Sequence, residues 1–397
     1  MRRTSLHLAG HLRMSFAPVL AAITAAIVGC AGSIAIVLAA AEALRATPAE
    51  TASWITCICL AIAAAAVILS VQHRLPLITA WSTPGAALIA ASGPTLDMPS
   101  AVGAFIFAAV LILVASAIAP LLRLIERIPT SVAAGMLAGI LLRLVTLPFE
   151  AIPSAPWLIV PLLALFLLAR RLSPSTAVIV VLGAGIALSW ALGLAKPLPE
   201  LHLAEPVWIT PRFDVSAMLG LGVPLFLVTM ASQNLAGFAV LRAAGYSDIP
   251  SRSILAVTGL GSLITAPFGA HTSNLAAISA AICTGPDAHI DPKKRWLTGP
   301  PYAVCYVLFA IFGPSLVALF ATLPSALIKT VAGVALAGPL VNALSTAFSS
   351  SGDRFAPGLA FAVTASGITL FGIGAAFWGL LAGLIVVAVE QTLPAKA

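Results

Sequence analysis

Four polar side chains stand in a row at His271, Thr272, Ser273 and Asn274, within the otherwise apolar segment GAHTSNLAAISAAICTG. An imidazole can carry a proton near neutral pH, and hydroxyl and amide groups can hydrogen-bond a small ligand. In an apolar environment each of these groups costs free energy unless a partner satisfies it. The segment therefore predicts either a binding site or a place where side chains satisfy the backbone of an interrupted helix.

A second polar cluster begins at Ser82, in the segment LITAWSTPGAALIAASG. A hydroxyl at Ser82 or Thr83 followed by Pro84 is typical of a helix start, because the hydroxyl caps backbone N–H groups and proline fits the first turn. The unpaired N–H groups of such a start, here near Thr83 to Gly85, carry a partial positive charge and favour an anion. This segment predicts a helix that begins at an anion-binding position.

The composition places both segments in a membrane. Of the 397 residues, 60% are hydrophobic and only 8% are charged, whereas soluble domains carry about 25% charged residues. No soluble core could hide so much apolar surface, so we predict a polytopic membrane protein in contact with lipid. The five cysteines lie in apolar segments without metal-ligand spacing, and we predict buried thiols, no metal and no other cofactor.

The distribution of basic residues predicts the number of segments and their orientation. About fourteen apolar stretches divide the chain, and those at 76–93, 253–267 and 270–285 are short for a span of ~20 residues. With both termini in the cytoplasm, fifteen of the 20 Lys and Arg residues fall inside, in agreement with the positive-inside rule. Because these residues are scattered over short loops, they predict no nucleic-acid partner. The outer side then holds Arg45, Arg143, Lys196, Arg212 and Lys329.

Two pairs of similar segments indicate an internal repeat. LITAWSTPG begins at Leu77 and LITAPFGAH at Leu263, 186 residues later. IPTSVAAGMLAGILL begins at Ile128 and LPSALIKTVAGVALAGPL at Leu323, 195 residues later. These are the third and tenth, and the fifth and twelfth, segments, and a spacing of seven inverts the second copy. Inverted repeats with interrupted helices are typical of secondary transporters that bind their substrate at the membrane midplane.

The repeat predicts a site between two half-helices inside the membrane. The third and tenth segments each combine a short extended stretch with a half-helix, the second capped by Thr272 or Ser273, and the two N-termini face one another. The eighth segment, TMASQNLAGF, adds the amides Gln233 and Asn234, which either bind a ligand or join helices. All thirteen carboxylates map to loops or segment ends, and of the six histidines only His271 lies inside a segment.

Two aromatic residues and two cations lie near these elements. Trp81 and Phe268 flank the two breaks. An apolar wall beside an anion site suits an aromatic carboxylate, although a role in the core or at the lipid surface fits these residues equally. Arg143 and Lys329, near the outer ends of the fifth and twelfth segments, are expected to extend to the lipid headgroups.

Three segments resemble those of the benzoate:proton symporter family, BenE, in the same order. They are STPGAALIAASG from Ser82, TMASQNLAGFAVLRAAGY from Thr229 and PFGAHTSNLAAISAAICTGPDAHIDPKKRW from Pro267. The resemblance covers essentially the whole chain. The family pattern has Gly-Gly-His where this chain has Gly-Ala-His at 269–271, a mild departure that concerns local backbone freedom.

The resemblance implies a fold shared with nucleobase:cation symporters and sulfate permease-type carriers. That fold is all-α, with about fourteen transmembrane segments in two inverted sevens. A core domain would comprise residues 1–120 and 196–322, and a gate domain residues 121–195 and 323–397. The substrate would sit in the core, between the third and tenth segments and facing the gate.

The polar residues differ from those of similar nucleobase carriers. Those carriers place acidic residues in the eighth and tenth segments, where this chain has Gln233 with Asn234 and Ser273 with Asn274. This difference argues against a nucleobase and fits a site that accepts a carboxylate.

The hypothesis is import of benzoate, or a closely related aromatic carboxylate, driven by protons across the bacterial inner membrane. N–H groups near Thr83–Gly85 and Thr272–Asn274 would hold the carboxylate, helped by hydroxyls and Gln233. Either His271 carries the proton, or the anion and the proton cross together. A carrier or channel for another small anion is the alternative. An enzyme is not predicted, because no carboxylate pair, His cluster or G-x-S-x-G lies at membrane depth; a homodimer is left open.

Overall fold

The structure of the protein is a computed structural model that describes residues 2–31, 33–92, 96–118, 129–172, 176–197, 203–349, 354–371 and 373–392. Three basic residues of the orientation argument, Arg123, Arg127 and Lys396, lie outside the described residues, as does Ile128 at the start of one repeat segment.

The described residues are mainly helical. The first half of the chain forms α1 (Arg2–Ala31), α2 (Ile34–Ala43), α3 (Pro48–His73), β1 (Thr79–Trp81), α4 (Thr83–Ala91), α5 (Met98–Ala117), α6 (Thr130–Ala151), α7 (Pro156–Leu172) and α8 (Ala177–Ala191). The second half forms α9 (Val215–Ala243), α10 (Ser251–Thr265), β2 (Ser273–Leu275), α11 (Ile278–Thr284), α12 (Gly299–Ile311), α13 (Gly313–Ala321), α14 (Ser325–Ala347), α15 (Phe355–Ser366) and α16 (Ala375–Thr392).

Seven spans within the described residues are long and apolar enough to cross a membrane: α1 with α2, α3, α5, α6, α9, α14 and α16. An eighth results if α12 and α13, which are bent by 55° against each other, are counted as one span. These helices confirm a mainly helical membrane protein. The predicted number of fourteen segments includes short elements such as α4 and α11, which are not long enough to cross a membrane alone. The number fourteen therefore stays a prediction.

Two short strands pair in the interior, each directly ahead of a short helix. β1 and β2 are antiparallel, with Thr79 opposite Leu275 and Trp81 opposite Ser273. Side chains satisfy further backbone groups of the strands, since the Tyr302 hydroxyl donates to the Thr79 carbonyl at 2.9 Å. In a membrane such pairing is required, because lipid offers backbone groups no hydrogen bonds.

Helix α9 departs from regular α-helix at two places. Its residues Met218–Gly222 and Thr229–Asn234 form π-helical segments, which often mark functional sites in helices. The second π segment contains the predicted amides Gln233 and Asn234.

The helices pack in two sets. α6 packs against α14 and α15, and α15 packs against α16; α3 packs against α10 and α12, and α10 packs against α5. Helix α4 packs against α6 of the first set and against α9, which packs against α5 of the second set. Its other neighbour, α2, also contacts α14 of the first set. Helix α4 therefore lies where the two sets meet.

Candidate functional site

The first turn of α4 is capped as the sequence predicts. The Ser82 side chain accepts a hydrogen bond from the backbone N–H of Gly85 at 3.1 Å, and its carbonyl accepts one from Ala86 at 2.8 Å. Pro84 occupies the first turn, where its missing N–H costs nothing. Gly85 lies against α9, since a Cβ there would be 2.6 Å from Leu225 Cδ1.

Three buried hydroxyls join this turn to two other elements. Thr229 Oγ1 donates to Ser82 Oγ at 3.0 Å and lies 2.8 Å from Thr272 Oγ1. All three residues are fully buried. We call Ser82, Thr229 and Thr272 the hydroxyl cluster. Sequence reasoning missed Thr229, although the residue opens the quoted segment TMASQNLAGF; a hydroxyl one turn ahead of an amide pair was the available signal.

His271 bridges α3 and the start of α4. The Trp54 indole N–H donates to His271 Nδ1 at 2.9 Å, and His271 Nε2 lies 3.1 Å from the Ser82 carbonyl oxygen. An indole N–H can only donate and a carbonyl can only accept. The imidazole is therefore neutral here, with its proton on Nε2. Trp54, which is fully buried, is a second residue that sequence reasoning missed.

The prediction that Thr272 or Ser273 caps the second half-helix is wrong. Ser273 is part of β2, and helix α11 starts only at Ile278, with Ala277 as an N-cap that makes no side-chain bond. The reason is the pairing with β1, which holds this stretch extended. The Ser273 N–H donates to Ser262 Oγ at 2.9 Å instead, which engages one of the N–H groups expected to hold the carboxylate.

The two helix N-termini also do not face one another closely. Because the ladder is antiparallel, α4 leaves it beside Ser273, whereas α11 follows from the end at Leu275. Ser82 is level with Thr272 and Ala276 is level with Ile78. These levels are four residue steps apart, about 14 Å at ~3.4 Å per residue. The start of α4 therefore faces His271 and Thr272 rather than α11.

The predicted amides support the backbone of β2. Asn234 Oδ1 accepts a hydrogen bond from the Leu275 N–H at 3.0 Å, which ties α9 to the strand. Asn274 Nδ2 donates to the Leu275 carbonyl at 2.9 Å, and Asn274 Oδ1 is buried with no partner among the described residues. Gln233 is half-buried in the same π segment as Thr229. Of these three amides, the two asparagines hold structure in place.

The two predicted aromatic residues make contacts away from the hydroxyl cluster. The Trp81 indole N–H donates to Ser33 Oγ at 2.8 Å, and its ring packs edge-on against Tyr306 at 6.1 Å. The Phe268 ring packs edge-on against Trp208 at 5.5 Å. The structure therefore does not bring their rings together with Ser82 and Thr272.

The interior polar groups are almost all uncharged. Among the described residues, the buried polar side chains include no Asp or Glu, and Arg295 is the one buried charged residue. Arg295 Nη1 donates to the Thr284 carbonyl at 2.7 Å, at the last residue of α11. Within the same described part of the chain, no group of three or more His, Cys, Asp or Glu could hold a metal ion.

Comparison with known proteins confirms the predicted family. A family model described as "Benzoate membrane transport protein" matches residues 13–389. The inner membrane protein YdcO of Escherichia coli (strain K12) is 40% identical over 365 residues, which cover 92% of this chain and 93% of that protein. The benzoate membrane transport protein of Acinetobacter baylyi is 34% identical over 372 residues, 94% of each chain.

Two solved structures share the fold. The transmembrane domain of a cyanobacterium bicarbonate transporter, BicA, superposes with a TM-score of 0.60 at 16% identity, covering 93% of this chain and 97% of that one. The structure of SLC26A9 gives a TM-score of 0.65 at 14% identity, covering 100% of this chain and 71% of that one. At these identities the similarity concerns the fold alone.

Proposed function

The chain belongs to the benzoate membrane transport protein family, and from this premise we propose that it imports benzoate, or a closely related aromatic carboxylate, by proton symport. It is an integral membrane transporter and not an enzyme. The identity of 34% to a protein named for benzoate transport supports this substrate, whereas the name of the Escherichia coli relative states none. The alternative is a carrier or channel for another small organic or inorganic anion.

The observation that carries the proposal is the buried, uncharged hydroxyl cluster at the first turn of α4. A helix N-terminus stabilises an anion through its N–H groups and its partial positive charge. The hydroxyls of Ser82, Thr229 and Thr272 can turn to donate to a carboxylate. The absence of a buried Asp or Glu from the described residues leaves no like charge to oppose the anion.

Individual residues have different roles in this proposal. The turn at Thr83–Gly85 and the half-buried Gln233 are proposed to contact the carboxylate. In this turn the N–H of Thr83 is the proposed donor, because Pro84 has no N–H and the Gly85 N–H donates to Ser82 Oγ. Asn234, Ser273 and Asn274 are proposed to hold β2 in place, since their hydrogen bonds are made to backbone and to α10.

The predicted aromatic contacts are retained in part. Phe268, which is half-buried, remains a proposed contact for the aromatic ring of the substrate. Trp81 is 2% exposed and held by Ser33, so a contribution to the shape of the core fits it better.

His271 is the proposed proton carrier. Its Nδ1 would receive the proton, and this requires the Trp54 indole to withdraw, because two donors cannot face each other. Protonation would thus be linked to a rearrangement between α3 and the start of α4. The second scheme, in which proton and anion cross together without a protein carrier, makes no use of this linkage.

The predicted architecture is proposed for transport by alternating access. The two packing sets support a core domain and a gate domain, and the solved relatives support the fold. Fourteen segments in an inverted repeat, cytoplasmic termini and a homodimer belong to the same proposal. Placement in the bacterial inner membrane agrees with the Escherichia coli relative, which is named as an inner membrane protein.

The decisive experiment is uptake of labelled benzoate into proteoliposomes with an imposed inward proton gradient, with and without a protonophore. Protein-free liposomes give the diffusion of neutral benzoic acid, which is subtracted. Saturable uptake that the protonophore abolishes establishes symport. Saturable flux that ignores the gradient indicates a uniporter or exchanger, and conductance without saturation indicates a channel.

A variant pair locates the site in the same assay. Thr229→Val removes the central hydroxyl of the cluster at constant shape, and Thr346→Val removes an exposed hydroxyl from α14. A hydrogen bond to a charged group is worth about 1.5–3 kcal/mol, so the KM of Thr229→Val should rise roughly ten- to a hundredfold. An unchanged KM, or an equal rise in the control, would move the site away from the cluster.

A further inference from the structure

A cavity of about 210 Å³ lies at the opposite end of α4 from the hydroxyl cluster. One wall is formed by the end of α4 with the start of α9, and the other by α6, the end of α15 and the start of α16. The corresponding volume for one water is only ~10–15 Å³, so the cavity has room for a small organic molecule. It separates the two packing sets, on the side that the charge distribution predicts to be outer.

Among the described residues that line this cavity, Arg143 is the one that is charged. Its Nη1 donates to the Ala91 carbonyl at the end of α4, at 3.2 Å. Its guanidinium lies on Gly367, where a Cβ would be 2.6 Å from Nη1. Gly367 has a φ of +68° and follows the last residue of α15. Arg143 is exposed, and its guanidinium lies at the mouth of the cavity between α4 and α15. The expectation that it extends to the lipid headgroups stays a prediction.

No carboxylate of the described residues neutralises the guanidinium. The ion pairs among the described residues both involve Arg212, so Arg143 has no carboxylate within 4.0 Å there. One hydrogen bond to a carbonyl leaves most of its five N–H donors for other partners. A cation in such a position favours an anionic ligand.

A further feature of the wall suits an anion. The first residues of α16, Ala375 and Ala376, line the cavity together with Gly374, which brings the N-terminus of an 18-residue helix to it. Thr364 also lines the cavity, but its hydroxyl lies against Gly379 of α16.

We propose that this cavity is a second binding site for a small carboxylate, which the transported anion occupies on the outer side before it reaches the hydroxyl cluster. Arg143 would hold the carboxylate with two parallel N–H bonds, the geometry in which guanidinium and carboxylate match. The proposal rests on the proposed function in so far as the ligand is the transported acid.

Arg143 can bind the carboxylate and keep its hydrogen bond to the Ala91 carbonyl, because that bond uses one of its five N–H donors. The bound anion would then lie beside the contact between α4 and α6.

The test compares three variants in the initial rate of labelled benzoate uptake. Arg143→Gln removes the charge, Arg143→Lys keeps the charge without the planar fork, and Lys329→Gln removes a charge from α14 away from the cavity. We expect the KM to rise about tenfold or more for Arg143→Gln and by less for Arg143→Lys, with the saturating rate within a factor of two. Lys329→Gln should keep the wild-type KM.

An unchanged KM in Arg143→Gln would overturn the proposal, as would an equal rise in Lys329→Gln, which would indicate a general effect of surface charge. If Arg143→Gln does not fold, the KM of Arg143→Lys is compared with that of the wild type. An unchanged KM in Arg143→Lys would overturn the proposal that two parallel N–H bonds of the guanidinium hold the carboxylate.

A binding assay separates this proposal from the proposed function. In detergent, sodium benzoate should raise the unfolding temperature of the wild type above that in sodium chloride, and the increase should be smaller in Arg143→Gln. If benzoate stabilises the wild type more than Arg143→Gln but no benzoate flux is found, benzoate transport is refuted and the carboxylate site is retained. Equal stabilisation of both proteins would refute the site, whatever the flux.

Discussion

Replacing His271 by Gln separates proton transfer from hydrogen bonding at the start of α4. A glutamine amide has one acceptor and donors, so it can accept from the Trp54 indole and donate to the Ser82 carbonyl, as His271 does at 2.9 and 3.1 Å. It cannot take up a second proton. His271→Gln should therefore fold and bind like the wild type, and lose only the coupling to protons.

The sizes of the two effects follow from the structure. In His271→Ala the indole N–H of Trp54 is left without this partner in a fully buried position, which costs about 1–3 kcal/mol. In His271→Gln that cost is absent. A gradient of one pH unit supplies about 1.4 kcal/mol per proton, a factor of ten between forward and reverse flux. The wild type should show this factor, and His271→Gln should show a ratio near one.

The assay measures two fluxes in the same proteoliposomes. Counterflow exchange of labelled against unlabelled benzoate needs no net proton movement, and His271→Gln should retain it. Net uptake at short times, after subtraction of protein-free liposomes, should no longer respond to the gradient. Trp54→Phe serves as the matched variant, since it removes the indole donor and leaves His271 free to be protonated; its coupling should persist. Undiminished proton-driven uptake in His271→Gln would refute the carrier role, and the proton would then cross with the substrate.

Two further predictions concern packing and pH. Gly85→Ala places a Cβ 2.6 Å from Leu225 Cδ1, so it should destabilise the protein by about 1–3 kcal/mol and slow benzoate uptake. Gly183→Ala, whose Cβ meets nothing within 4 Å, should leave stability and uptake unchanged. Thermal unfolding and benzoate flux measure the two effects in both variants. Partial burial raises the pKa of Asp97, but hydrogen bonds from Ser100 and Arg212 outweigh it and hold that pKa below its ordinary 3.8. The stability from this carboxylate is therefore fully present above pH 3.8 and lost as the pH falls through the lowered value, so Arg212→Gln should unfold at a lower temperature at pH 7 and show a shallower loss towards pH 3. If the unfolding temperatures of the wild type and Arg212→Gln fell equally steeply between pH 7 and pH 3, the role of Arg212 would be contradicted.

Local features of the site were predictable where the partners are close in sequence. Ser82 caps an N–H three residues away, and Pro84 fits the first turn whatever the rest of the chain does. Membership of the family was readable for the same reason, since its motifs are continuous segments. The amides of TMASQNLAGF were recognised, and one of the open alternatives, that of joining elements, describes Asn234.

Contacts between distant segments were not predictable. Trp54 and His271 are 217 residues apart, and Thr229 meets Ser82 across 147 residues. Thr272 and Ser273 resemble helix caps because hydroxyls commonly cap helices. Their backbone instead pairs with β1, a strand that is far away in sequence.

The sequence alone determined that this chain is a membrane protein, that a helix starts at the turn capped by Ser82, and which family the chain belongs to. These properties depend on composition, on bonds that span three or four residues, and on continuous motifs. Only the tertiary structure decided that α11 starts at Ile278, that His271 is a neutral bridge, and that Arg143 lies in a cavity. The physical reason is that a ladder register, a tautomer and a cavity each depend on which groups from remote segments arrive at the same place.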